Sequence, residues 1–153
     1  MKFLLFERLI QSMIAEIGHF VLLLAFFVCL VQSIVPLIGA HRNDESLMRF
    51  ASVAAITAFI LVGISIASLA WSFLNSDFSV RLVVAHSEIA KPTIYKFSGV
   101  WANHEGSMLL WVLILVLFAA AIAIFGKSLP MTLKARVLAV QGMIATAFLA
   151  FLI

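Results

Sequence analysis

Of the 153 residues, 65% are hydrophobic and only 11% are charged, and the mean hydropathy is +1.20. A soluble domain carries about 45–50% apolar and about 25% charged residues, so a soluble fold is excluded, and intrinsic disorder with it. Cys29 is the only cysteine, which excludes a disulfide framework. The net charge of +3 does not point to nucleic acid, because the ten Lys and Arg stand singly between apolar runs and form no basic stripe. The composition leaves an all-α integral membrane protein, a polytopic bundle embedded in lipid.

Residues 1–12 read as an N-terminal extension. Lys2, Phe3–Phe6, Glu7 and Arg8 suit an interfacial amphipathic turn or two. They are no cleavable signal, because the apolar stretch is short and no small-residue cleavage site follows. A second methionine, Met13, stands just before the first span.

Gaps between charges then count the spans. Ile17–His41, Phe50–Ser76 and Gly106–Gly126 contain no Lys, Arg, Asp or Glu. Each gap holds the roughly 20 apolar residues that cross about 30 Å of hydrocarbon as a helix. These gaps predict spans at about 17–38, 50–74 and 106–125. A fourth, 136–153, is short and has no polar anchor after Ile153, so the chain is read as truncated or split there. On span 2 the small residues Ala51, Ala55, Gly63 and Ala67 predict close helix approach.

Orientation follows from loop Lys and Arg. Arg42, Arg49, Lys127, Lys134 and Arg136 lie on one side, and Lys2, Arg8, Arg81, Lys91 and Lys96 on the other. Starting at Met13 removes two of the second group, and the long loop 75–105 dilutes the rest. The N-terminus and loop 75–105 are therefore expected outside.

That loop opens with the β-branched, extended-favouring run Asp77–His86, broken at Lys91-Pro92. It ends in Trp101-Ala-Asn-His-Glu-Gly-Ser107, where Asn103 is a good N-cap and Glu105 suits the positive end of a helix dipole. All three tryptophans (Trp71, Trp101, Trp111) and Tyr95 lie in or beside the loop. They read as half of an interfacial aromatic belt, or as a platform for a flat amphipathic ligand.

The remaining chemistry is sparse. Glu16 and His19, three residues apart, are expected to share a helix face, as membrane-edge anchors or as a proton or ion relay in a small transporter or channel subunit. A di-iron bundle needs a second Glu-x-x-His and further glutamates, which are missing. Met108 replaces the second histidine of a zinc-protease helix after His104-Glu105. His86 and His104 are conceivable axial haem ligands, though solvated or capping side chains are the simpler reading, and His41 marks the membrane edge. No Cys-x-x-Cys-His is present, so the chain is no c-type cytochrome. Cys29, in the middle of span 1, reads as an inert apolar side chain.

Three segments carry a family resemblance: Met13-Ile-Ala-Glu-Ile-Gly-His19, Asn75-Ser-Asp-Phe-Ser79 and Phe97-Ser-Gly-Val-Trp-Ala-Asn-His-Glu-Gly-Ser-Met-Leu-Leu-Trp111, with weaker agreement over Lys134–Gly142. They resemble the CcmF family, the large inner-membrane subunits of the cytochrome c haem lyase. The likeness covers 13–153 and only the N-terminal part of the longer family protein, with Met13 as the equivalent start. It implies a role in cytochrome c maturation in the bacterial inner membrane, with haem as cofactor. The implied partners are a periplasmic haem chaperone, apocytochrome c and other lyase subunits. The family's tryptophan-rich haem-handling segment and its haem-ligand histidines are absent, so no ligand carries over and lyase activity by this chain alone is in doubt. A non-functional remnant of a broken gene is the blander alternative. Trp101, His104, Glu105 and Trp111 are the candidates for an outer functional surface.

Overall fold

The computed structural model describes residues 2–75, 83 and 98–153, and for residues 2–12 the backbone alone. The expectations placed on 76–82 and 84–97, among them the extended run, Lys91-Pro92, Tyr95 and His86, lie outside the described residues.

Four helices follow one another: α1 (Lys2–Arg42), α2 (Glu45–Leu74), α3 (His104–Phe125) and α4 (Met131–Leu152). All four are long and apolar enough to cross a membrane. At 1.5 Å per residue, the 22 residues of α3 reach about 33 Å, the thickness of a hydrocarbon core. Helix is the form these runs must take in lipid, because it pairs backbone N–H and C=O within the segment.

Charge gaps located the spans but not the helix ends. Residues 1–12 were expected as a separate extension, yet α1 is continuous from Lys2, without a break at Met13. At the other end α1 runs to Arg42, where Asn43 turns into the left-handed region at φ 55°. The Asp44 N–H donates to the Gly39 carbonyl at 3.0 Å, the closing bond of a Schellman turn. Asp44 then caps α2, its Oδ1 accepting from the Ser46 N–H at 2.9 Å and the Leu47 N–H at 3.4 Å. Such a cap stabilises a helix by about 1 kcal/mol, so α2 begins at Glu45, ahead of the expected 50. Glu45 and Arg49 pair one turn apart at 3.3 Å, both largely exposed, which contributes only about 0.3–0.5 kcal/mol. Similarly, α4 starts at Met131 rather than 136. Lys134 reaches back from it to donate to the Ala123 carbonyl at 2.8 Å, satisfying an acceptor in the last turn of α3.

The helices run up and down, each against its sequence neighbours, with α4 closing on α1 and α2 also touching α4. The central cluster draws Leu22, Ala25 and Cys29 from α1, Ala58 and Val62 from α2, Leu109, Val112 and Val116 from α3, and Ala145 and Leu149 from α4. Cys29 is fully buried there, a packing side chain as expected.

Close approach comes partly from residues the sequence reading did not single out. Ala51 and Ala55 are buried against Ala119 and Leu138, as expected. Gly63 and Ala67 are not interface residues: a Cβ on Gly63 would meet nothing within 4 Å, and Ala67 is exposed. The tight seam is instead between α1 and α4. A Cβ on Gly142 would meet Ser33 N at 3.1 Å and Cys29 O at 3.2 Å, backbone against backbone. On the same seam the buried Gln32 donates from Nε2 to the Leu138 carbonyl at 2.9 Å.

Candidate functional site

The turn before α3 explains the Trp101–Trp111 motif locally. Asn103 is buried, and its Oδ1 accepts from the Gly106 N–H at 2.6 Å. Its Nδ2 donates to Gly99 O at 2.9 Å and Val100 O at 3.3 Å. The side chain therefore ties residues 99 and 100 back onto the first turn of α3. Any Cβ at Gly106 would collide with the Val100 carbonyl, so that position takes glycine alone. Val100 seats the turn in a small cluster with Phe73 and Val83, and Gly99 leaves room for the Phe73 ring. Asn103 and Gly106 are thus the positioning residues of the motif, while His104 and Glu105 are held outward and exposed on its rim.

Beside this turn lies a cavity of about 260 Å³ between the end of α2, the start of α3, the end of α4 and the stretch of α1 around residues 15–22. Gly18, His19 and Leu22 of α1 line one wall and Ser65, Ser68, Leu69 and Ser72 of α2 another. Glu105 and Leu109 of α3 and Leu152 of α4 complete it. Gly18 lets α1 pass close to α2, where a Cβ would stand 2.5 Å from Ser68 Oγ. The Ser68 hydroxyl donates to the Ile14 carbonyl at 2.6 Å and the Ser72 hydroxyl to the Ser68 carbonyl at 3.2 Å. With their protons so engaged, both hydroxyls offer lone pairs.

Of the four expected surface residues, Glu105 lines this cavity and Trp101, His104 and Trp111 do not. Trp111 is 64% exposed on α3, two turns beyond His104, and Trp101 is 40% exposed ahead of the helix. Trp71, 52% exposed near the end of α2, lies toward the same end of the bundle. Glu16 and His19 are both exposed on α1. Three residues along a helix is a rotation of about 300°, which leaves them about 60° apart. His19 lines the four-helix cavity, and Glu16 lines a shallow groove with Met13, Ile17 and Phe20. His19 shares its cavity with Glu105, a residue far away in the chain that spacing could not reveal.

No protein-family model matches the chain. Among curated proteins it is 53% identical over 141 residues to the cytochrome c-type biogenesis protein CycK of Rhizobium meliloti, a match covering 92% of this chain and 21% of that protein. It is 54% identical to cytochrome c-type biogenesis protein ccl1 of Rhodobacter capsulatus and 50% to CcmF of Pseudomonas aeruginosa, in both cases over 92% of this chain and 22% of the relative. Among solved structures, a cytochrome c haem lyase CcmF superposes with a TM-score of 0.84 at 27% identity, over 90% of this chain and 23% of that one. The chain is homologous to CcmF. It spans about a fifth of the length of the curated relatives it matches.

CcmF homology raises the question of haem. The four-helix cavity offers one imidazole, His19, hence a single axial ligand, and at about 260 Å³ it falls below the roughly 300–1,000 Å³ of sites that enclose drug-sized ligands. Among the described residues no three His, Cys, Asp or Glu side chains are grouped to hold a metal ion. The cavity does not fit a haem.

Proposed function

We propose that this chain serves cytochrome c maturation as part of a membrane haem lyase. The observation that carries the reading is 50–54% identity, over 92% of the chain, to cytochrome c biogenesis proteins. In this reading the bundle sits in the bacterial inner membrane with its N-terminus and residues 75–105 on the periplasmic side. There it works with the other lyase subunits, a periplasmic haem chaperone and apocytochrome c, around a haem whose ligands another chain segment supplies. Arg42, Arg49, Lys127, Lys134 and Arg136, which stand in or within about two helical turns of the two short connections, support that orientation, since Lys and Arg near span ends favour the cytoplasmic side.

Trp101, His104, Glu105 and Trp111 form the outer functional surface in this proposal. Asn103 and Gly106 hold the first three in place, and the exposed indoles give flat apolar faces at the level where a haem would be handed over. The test is covalent haem on cytochrome c in the host. Disrupting the coding sequence abolishes haem-stained cytochrome c, and replacing Trp101 and His104 together by alanine lowers it several-fold at unchanged level of this chain. Normal holocytochrome c in the disrupted strain overturns the function. Normal holocytochrome c in the double variant leaves the function standing and removes these two residues from it.

A further inference from the structure

Helix α4 carries an amide that nothing inside the bundle serves. Gln141 stands at the middle of this 22-residue helix, about 15 Å from either end, and so near the centre of a bilayer. Its Oε1 is buried without a hydrogen-bond partner, and among the described residues the side chain makes no hydrogen bond at all. Its neighbours in polarity are engaged. Lys134 donates to the Ala123 carbonyl, Thr146 to the Gly142 carbonyl at 2.7 Å and Gln32 to the Leu138 carbonyl. Gln32 also has an orphaned Oε1, but it is 2% exposed and sealed inside the α1–α4 seam. Gln141 is only half-buried, and its Nε2, with two N–H donors and no acceptor, is not enclosed.

Water does not enter the hydrocarbon core to complete such a group, and polar side chains within a span turn to protein rather than to lipid. Val137, Gln141, Ile144, Phe148 and Phe151 recur at steps of four and three residues and share one face of α4. Ile144 is 44% exposed and Phe151 72%. Lipid tails would cover these apolar side chains as well as a helix would, but they cannot accept a hydrogen bond. The amide therefore selects protein as the occupant. About four-fifths of the length of the curated relatives lies outside the matched bundle, which is further chain to cover an open face.

We infer that this face of α4 docks a transmembrane helix from the part of the haem lyase outside residues 1–153, an inference that rests on the reading of the chain as part of that lyase. The docked helix brings an amide or hydroxyl oxygen to mid-depth, where it accepts from Gln141 Nε2, and its apolar side chains pack on Ile144 and Phe151.

Photocrosslinking of the intact chain in its host membrane tests this. p-Benzoylphenylalanine placed at Ile144 should join a membrane-spanning segment of the lyase, and mass spectrometry should map the adduct beside an Asn, Gln, Ser or Thr. Gln141→Leu should lower the adduct several-fold, and Gln141→Asn should keep most of it. Because the amide makes no bond inside the bundle, Gln141→Leu should leave the thermal unfolding midpoint of the purified chain unchanged or raised, whereas a purely internal role would lower it. No adduct, an adduct only with a second copy of this chain or with a protein outside the lyase, or one undiminished by Gln141→Leu overturns the docking. Any of these, with holocytochrome c still lost when the coding sequence is disrupted, leaves the role in maturation standing. Normal holocytochrome c in the disrupted strain overturns that role, and with it the lyase as the partner.

Discussion

At Asn103 one side chain makes three hydrogen bonds, two to carbonyls of the preceding turn and one from the α3 amide it caps. Loss of an N-cap costs about 0.5–2 kcal/mol, and Asn103→Ala also strands the Gly99 and Val100 carbonyls it served. Asn103→Ala is therefore expected to cost about 2 kcal/mol, at the upper end of that range. Gly106→Ala is expected to cost more, because its Cβ meets a backbone carbonyl that cannot swing aside as a side chain does. Gly63→Ala is the matched control: nothing lies within 4 Å of the new methyl, and alanine favours helix over glycine by about 0.8–1.0 kcal/mol. Denaturant titration in mixed micelles, followed by tryptophan fluorescence, should rank stability as Gly63→Ala, then the parent, then Asn103→Ala, then Gly106→Ala. An unaltered Gly106→Ala would show that the turn over α3 is not formed as described.

Between elements, the α1–α4 seam sets shape against polarity. Gln32 donates one hydrogen bond to Leu138, but its Oε1 is buried with no partner among the described residues. Pro36, one turn on, also removes the N–H that would have served the Gln32 carbonyl. Interhelical side-chain bonds in membranes average about 0.6 kcal/mol, and an apolar isostere relieves the orphaned oxygen. Gln32→Met should hence change stability by less than about 1 kcal/mol. Gly142→Leu should cost several times more, since backbone stands 3.1–3.3 Å from its first added carbon. The same unfolding titration reads both, and a Gln32→Met loss exceeding that of Gly142→Leu would make the polar bond, not the close approach, the main tie. The seam also marks the limit of legibility. Apolar gaps between charges were enough to find four spans, because lipid enforces the pattern residue by residue. Helix ends at Asp44 and Asn103 were half legible: the N-cap at Asn103 follows from residue type, whereas the Asn43–Asp44 turn admits Glu45 and Arg49 into α2 against the charge count. The glycines that matter, Gly18 and Gly142, could not be told from Gly63, because their role depends on which helix lies opposite.

Across the whole molecule, the four helices must alternate in direction, and the packing shows where their ends meet. Residues 15–22 of α1, the end of α2, the start of α3 and the end of α4 all line one cavity. At the opposite end Ala40, Met48 and Ala135 form a separate cluster beside the Asn43–Asp44 turn. His19 and Glu105 come together only through this alternation, which is why the cavity was illegible in the sequence while the spans that build it were not. The arrangement makes a topological prediction independent of any ligand. Position 104 and position 128, in the turn between α3 and α4, lie on opposite membrane faces, and both are exposed. In a Cys29→Ala background, His104→Cys should react with a membrane-impermeant maleimide in cells with a permeable outer membrane, and Ser128→Cys only after the inner membrane is opened. Reaction of both positions from the same side would break the up-and-down bundle itself. Reaction of Ser128→Cys alone from outside would keep the bundle and invert it, placing Glu105 and the tryptophans in the cytoplasmic leaflet and removing the basis for a periplasmic role.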